Sequence, residues 1–171
     1  MLAAPKTSVT TSCTCERVVF KATGSPIACA LCYCKDCEEG SRQIEALPNA
    51  RGVRDADGGT AYVLFRKDRF MCTAGAPLLK PYKISSSSAT SRVVATCCNS
   101  PMFMGFDDAR HWVSAYRGRF HGVAPPLQMR ICTKFRAAGD PLPEDLPNYA
   151  TYPLGLMVKL LGAKVAMVLH L

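Results

Sequence analysis

The chain is poor in several things. It holds one tryptophan and three histidines in 171 residues, so neither an aromatic stacking platform nor a histidine-rich centre is written in its composition. Its opening residues, MLAAPKTSVTTSC, contain no long apolar run, which is not the pattern of a secretory signal. Residues 154–171 are apolar, but Lys159 and Lys164 interrupt them and the stretch barely reaches spanning length. The expectation is a reducing, cytoplasmic setting without a transmembrane segment. Acidic residues are also scarce, 13 against 21 lysines and arginines, giving a formal net charge of +8. That balance suits an anionic partner or serves solubility alone.

What is abundant is cysteine, with ten. A chain of this size does not need disulfide staples to hold a core. In a reducing compartment, closely spaced thiols are read as metal ligands or redox groups before bridges. Cys32-Tyr33-Cys34-Lys35-Asp36-Cys37 forms a C-x-C-x-x-C claw. Three protein ligands on zinc leave a fourth position open, the coordination of reactive sites. Lys35 or Arg42 would offset the negative charge that three thiolates gather. Asp36 is expected to orient a ligand or accept a backbone N–H, and no acid or base for chemistry stands out. His111 and His121 lie far from the claw and read as core or surface residues, and Trp112 as core. Cys29, Cys72 and Cys132 are isolated and read as buried thiols.

The 49% apolar composition fits a single globular domain with a tail. Alternation over 17–23 predicts a strand closing at Gly24-Ser25-Pro26, and the apolar run 27–31 leads into the claw. A short helix is predicted over 38–47, ended by Pro48 and Asn49. Residues 55–60 read as a tight turn before a strand at 61–66. They are not a calcium loop, which would need glycine where Thr60 stands and glutamate where Arg66 stands. A polar loop at 85–88, the pair Val93 and Val94, and strands at 102–106 and 111–116 follow. The region 18–116 is thus mainly short strands with one helix, and the fold class is mainly β.

Residues 116–139 carry Arg117, Arg119, Arg130, Lys134 and Arg136 with no acidic residue, and prolines at 125–126 and 141–147 break regular structure. The tract lacks the aromatic pattern of an RNA-binding module and a capped recognition helix, so nucleic acid is not the expected partner. Residues 154–171 read as a helix with Gly155, Lys159, Gly162, Ala166 and His170 on one face. It is expected to dock on the domain by the other face, with Lys164 snorkelling; the alternative is a membrane-surface helix.

The order Cys13 and Cys15, then Cys32, Cys34 and Cys37, then Gly58-Gly59-Thr60 before a strand, then Cys98 followed by Ser100-Pro101 resembles a known family. It is that of glutathione-dependent formaldehyde-activating enzymes, also called the CENP-V/GFA domain. The resemblance covers 13–116, and the CYC-x-DC and CC-x-[ST]-P forms look closest to a bacterial branch. It implies a twisted, antiparallel β-tent fold with a structural zinc on a C-x-C and a distant C-x-x-C. It also implies a second zinc on the C-x-C-x-x-C triad near a glutathione site. Founding members are assigned to adduct formation between formaldehyde and glutathione and classed with carbon–sulfur lyases.

Carried over by position, Cys32, Cys34 and Cys37 match the functional triad, and Cys13, Cys15 and Cys98 match three structural ligands. The fourth position is Ala95, with Cys97 as the obvious substitute. The family's glycines after the cysteines are Glu16 and Asn99 here. Asparagine tolerates the left-handed backbone, and glutamate does so poorly. A third arrangement is one closed tetrathiolate on Cys15, Cys34, Cys37 and Cys98, purely structural.

The expectation is therefore a GFA-like zinc-binding domain at 1–120 and, at 121–171, an extension with a basic irregular tract and an apolar helix packed on the domain. One or two Zn²⁺ ions, with glutathione as co-substrate, would serve a thiol-dependent carbon–sulfur lyase type of activity on an aldehyde adduct. An open three-thiolate zinc is ill suited to acidifying water and better suited to exchanging a thiol ligand. The alternative is a non-catalytic, zinc-stabilised binding module for protein or nucleic acid.

Overall fold

A computed structural model describes residues 8–137 and 139–170. Its strands are β1 (Ser8–Ser12), β2 (Val19–Thr23), β3 (Ala28–Cys32), β4 (Thr60–Arg66), β5 (Phe70–Ala74), β6 (Leu79–Tyr82), β7 (Thr90–Ala95), β8 (Ser100–Phe106), β9 (Trp112–Tyr116) and β10 (Met129–Ile131). Its α-helices are α1 (Lys35–Glu45) and α2 (Leu154–Val168). The mainly β reading therefore holds. A small sheet runs β1-β2-β5, and a seven-stranded sheet runs β10-β3-β4-β9-β8-β7-β6.

The period of two along the central strands builds two core layers. On β3 and β4, Ala28, Ala30, Cys32, Tyr62 and Leu64 face the layer that also holds Ile44 of α1 and Leu156 and Leu160 of α2. Cys29, Val63 and Phe65 face the opposite layer, with Phe20 and Phe70 of the small sheet. There Phe20 stacks on Phe70 at 4.8 Å between ring centroids and meets Phe103 edge-on. Because Cys32 and Cys29 are odd in register with respect to each other, the claw opens on the helical face and Cys29 is sealed between the sheets.

Three local readings change. The helix begins at Lys35, not at 38, because Cys34 is its N-cap. The backbone N–H groups of Cys37 and Glu38 both donate to the Cys34 carbonyl at 3.0 Å, and Asp36 and Glu38 occupy the first turn, where acidic groups suit the helix dipole. The sheets are not wholly antiparallel: β10, inside the tract read as irregular, pairs in parallel with β3, setting Ile131 opposite Cys32.

The third change concerns α2, which buries only Leu156 and Leu160. Ala166 is half-buried instead of facing outward, and Lys164 is exposed. The contact is a narrow i, i+4 seam, leaving Leu154, Val158, Leu161, Val165 and Val168 exposed. No helix among the described residues is long and apolar enough to cross a membrane.

Candidate metal centres and the cavity beside them

The first thiol cluster forms where two hairpin tips meet. Cys13 and Cys15 lie in the turn between β1 and β2, and Cys97 and Cys98 in the turn between β7 and β8. The four Sγ atoms lie within 4.8 Å of one another. Individual separations are 3.6 Å for Cys13 to Cys15, 3.7 Å for Cys13 to Cys97 and 3.3 Å for Cys15 to Cys97. A tetrahedral zinc with bonds near 2.3 Å spaces its sulfurs by about 3.8 Å, so this donor set fits the ion. Ala95 is buried at the end of β7, and the chain turns immediately after it, which brings both Cys97 and Cys98 into the group.

Glu16 and Asn99 are left-handed, at φ 61° and 51°, as the glycines they replace would be. Asn99 also donates from Nδ2 to the Pro48 carbonyl at 2.9 Å, tying this turn to the loop after α1. Ser100 is the polar hub: its Oγ accepts from the Thr14 N–H at 3.0 Å, contacts Cys98 Sγ at 3.1 Å and accepts from Arg119 Nη1 at 3.2 Å. The backbone N–H and then the side chain of Arg17 pull the Cys15 thiol down to about 6.

The second cluster is the claw. The Sγ atoms of Cys32, Cys34 and Cys37 also fall within 4.8 Å of one another, with Cys32 at the end of β3 and Cys37 in the first turn of α1. Hydrogen bonds from Cys32 and Cys37 pull Cys34 well below the ordinary thiol value. Its place at a helix N-terminus favours a thiolate as well. Cys32 is pushed up, first by its contact with the Cys132 thiol, then by Cys34, Cys37 and burial. Cys132 is therefore not an isolated thiol: it follows the strand laid beside β3 and meets the claw. The two clusters are separate, so Cys15 and Cys98 do not share a closed site with Cys34 and Cys37.

The claw opens on a cavity of ≈ 300 Å³. Beside Cys32, Cys34 and Cys37 it is walled by Leu64, Met104, Phe106, Trp112, Met157 and Leu160. Trp112, read as a core residue, packs on the core and also lines this space, with its ring 5.3 Å from that of Phe106.

Of the cations read as neighbours of the claw, one faces solvent and the other is paired. Lys35 is exposed, and Arg42 is held by Glu39 through bonds of 2.9 and 2.7 Å. A buried cation, Arg92, 1% exposed, lines the same cavity and acts favourably on the Cys37 thiolate. Nothing local singles it out, since in sequence it is one arginine before two valines.

The basic tract is largely consumed within the fold. Arg117 donates to the Pro125 carbonyl at 2.8 Å, Arg130 pairs with Asp145 at 2.8 Å, and Arg136 donates to the carbonyls of Asp57 and Asp140 at 3.0 and 2.8 Å. His111 is buried, and His121 is exposed with Nε2 2.5 Å from Ser12 Oγ. Cys29 is buried, whereas Cys72 is only half-buried and its thiol donates to the Ala74 carbonyl at 3.2 Å.

A two-sheet β fold with paired cysteine clusters able to hold metal ions defines the class of protein. A family profile described as glutathione-dependent formaldehyde-activating enzyme matches residues 8–131, well over half the chain, and the chain belongs to that family. No protein of curated function matches it. Among solved structures, a Rhodobacter sphaeroides protein is similar at 14% identity and a TM-score of 0.48, covering 68% of this chain and 91% of that one.

Proposed function

We propose that this protein is a cytoplasmic zinc protein that joins a small thiol to an aldehyde, or releases it from the adduct, an activity of the carbon–sulfur lyase type. Glutathione is the candidate thiol. The observation that carries the reading is the Cys32, Cys34, Cys37 triad opening onto an apolar cavity inside the family match. In the adduct-forming direction the thiol sulfur bonds to the aldehyde carbon, the carbonyl π bond breaks, and the thiol proton ends on the oxygen as a hydroxyl. A zinc ion on the triad would supply an attachment point at which an entering sulfur is held as thiolate.

The chain's own residues do the remainder. The N-terminus of α1, where Cys34 is the cap, and Arg92, beside Cys37, balance the charge of the thiolates. Phe106, Trp112 and Met157 exclude water and fit an apolar substituent on the carbon partner. Cys13, Cys15, Cys97 and Cys98 hold a structural zinc in this reading. The extension 121–171 supplies part of the cavity wall through Ile131, Tyr152 and α2.

The test is zinc per chain by elemental analysis, joined to an NMR assay of adduct formation from glutathione and an aldehyde. Two zinc in the wild type, one in Cys32→Ser and one in Cys97→Ser are expected, with adduct formation lost in Cys32→Ser. Unchanged adduct rates in a folded Cys32→Ser protein would remove the catalytic reading. The exposed apolar row on α2 favours a second reading, a zinc-stabilised module that binds a protein. It predicts normal partner binding by any claw variant that stays folded.

A further inference from the structure

The family match ends at residue 131, and the next residue is Cys132. Four observations set it apart from a spare core thiol. It is 1% exposed and shares a core cluster with Cys32 and Cys37. The parallel pairing of Ile131 with Cys32, secured by the Tyr33 N–H donating to the Ile131 carbonyl at 3.1 Å, brings Cys132 beside the end of the strand that carries Cys32. Its backbone is left-handed, at φ 61°, a conformation that residues other than glycine and asparagine avoid and that persists where a side chain must be aimed. Finally, the Thr133 N–H donates to the Tyr149 carbonyl at 3.1 Å, holding the chain beside Cys132 to the segment that leads to Tyr152 of the cavity wall.

The three claw thiols lie within 4.8 Å of one another; Cys132 is not in that mutual set but shares a core cluster with Cys32 and Cys37. A tetrahedral tetrathiolate asks for sulfurs about 3.8 Å apart, so the Cys132 side chain must move closer to the claw to join it.

We propose that Cys132 is an exchangeable fourth sulfur ligand at the second metal centre, closing a site that its three-cysteine motif alone would leave open. The inference rests on the reading that the claw holds zinc.

The experiment compares wild type, Cys132→Ser and Cys132→Gly, with Cys29→Ser as a control for loss of an equally buried thiol on the other face of the sheet. Glycine accepts the left-handed backbone, so at least one variant at 132 is expected to fold. Zinc content, the mean sulfur count per zinc by X-ray absorption, and the chelator concentration that strips the second zinc are measured on zinc-loaded protein. The expected result is two zinc throughout, with about four sulfurs per zinc in wild type and Cys29→Ser and about three and a half in both variants at 132. The second zinc should then be stripped at roughly a tenfold lower chelator concentration. An unchanged sulfur count and unchanged stripping would overturn the proposal while leaving the claw zinc standing. A wild type with one zinc, retained in Cys32→Ser, would remove the claw zinc itself and this inference with it.

Discussion

Arg92 donates from Nη2 to the carbonyl oxygen of Asp36, inside the first turn of the helix that carries Cys37. Its Nη1 donates to Thr90 Oγ1 at 3.0 Å, and its Nε has no partner. One buried guanidinium thus fastens β7 to α1 and sets a positive charge beside the claw.

Replacing Arg92 with methionine should weaken metal retention at the claw and lower stability by about 1–2 kcal/mol. Lost hydrogen bonds from a charged donor cost about 1.5–3 kcal/mol, and apolar packing returns part of that. Arg92→Lys should keep more of the metal affinity than Arg92→Met, since it keeps the charge and loses the fork. Chelator titration and urea unfolding measure the two effects; equal retention in all three proteins would show that the cation is irrelevant to the claw.

Gly40 lies in α1 against this arginine. A Cβ there would sit 2.2 Å from Arg92 Nε. Helix propensity favours alanine by about 1 kcal/mol, whereas forcing a methyl into a filled space costs about 1–3 kcal/mol. Gly40→Ala is therefore expected to destabilise by about 1 kcal/mol, and to do so less in an Arg92→Met background. A double-mutant cycle in urea checks the coupling, which additive effects would refute.

Glu16 is left-handed without the local hydrogen bonding that makes asparagine tolerable there. Glu16→Gly should stabilise the metal-loaded protein by about 0.5–1 kcal/mol. Asn99→Gly should give no such gain, because it also removes the bond to Pro48. Paired thermal melts at fixed zinc concentration separate the two.

Burial holds His111 below its ordinary value of 6.5, and Lys164, Arg66 and Lys67 act in the same direction, with the Leu160 backbone opposing them. Its neutral form is favoured in the folded state. The resulting stability is present above pH 6.5 and is lost as pH falls through the depressed folded value, because the unfolded chain then binds the extra proton. Melting temperature should drop between about pH 7 and 5.5, less steeply in His111→Gln, with faster hydrogen exchange in α2 on the acid side. Equal slopes in the two proteins would exclude His111 as the source.

The claw was legible in the sequence because its geometry is local: a strand end, an N-cap and a first helical turn bring Cys32, Cys34 and Cys37 together without help from distant chain. The start of α1 was read late because Cys34 caps it through its backbone carbonyl, with no serine or aspartate to announce the cap. Cys13, Cys15 and Cys98 were legible as a pair of turn motifs, but the gathering of Cys97 into the same group depends on two hairpin tips meeting.

Strand β10 is only Met129–Ile131, too short to show alternation and surrounded by prolines, so its pairing had no sequence signal. With it went Cys132. Arg92 was hidden for a related reason, since a single arginine in a strand gives no sign of which core layer it will enter.

The sequence by itself determined the β alternation, the thiol spacing and the family, because these depend on neighbours a few residues apart. Only the tertiary structure decided which thiols and which cation share a cavity. That depends on loop closures over long stretches of chain, whose entropy is offset by burial spread across both core layers and recorded at no single position.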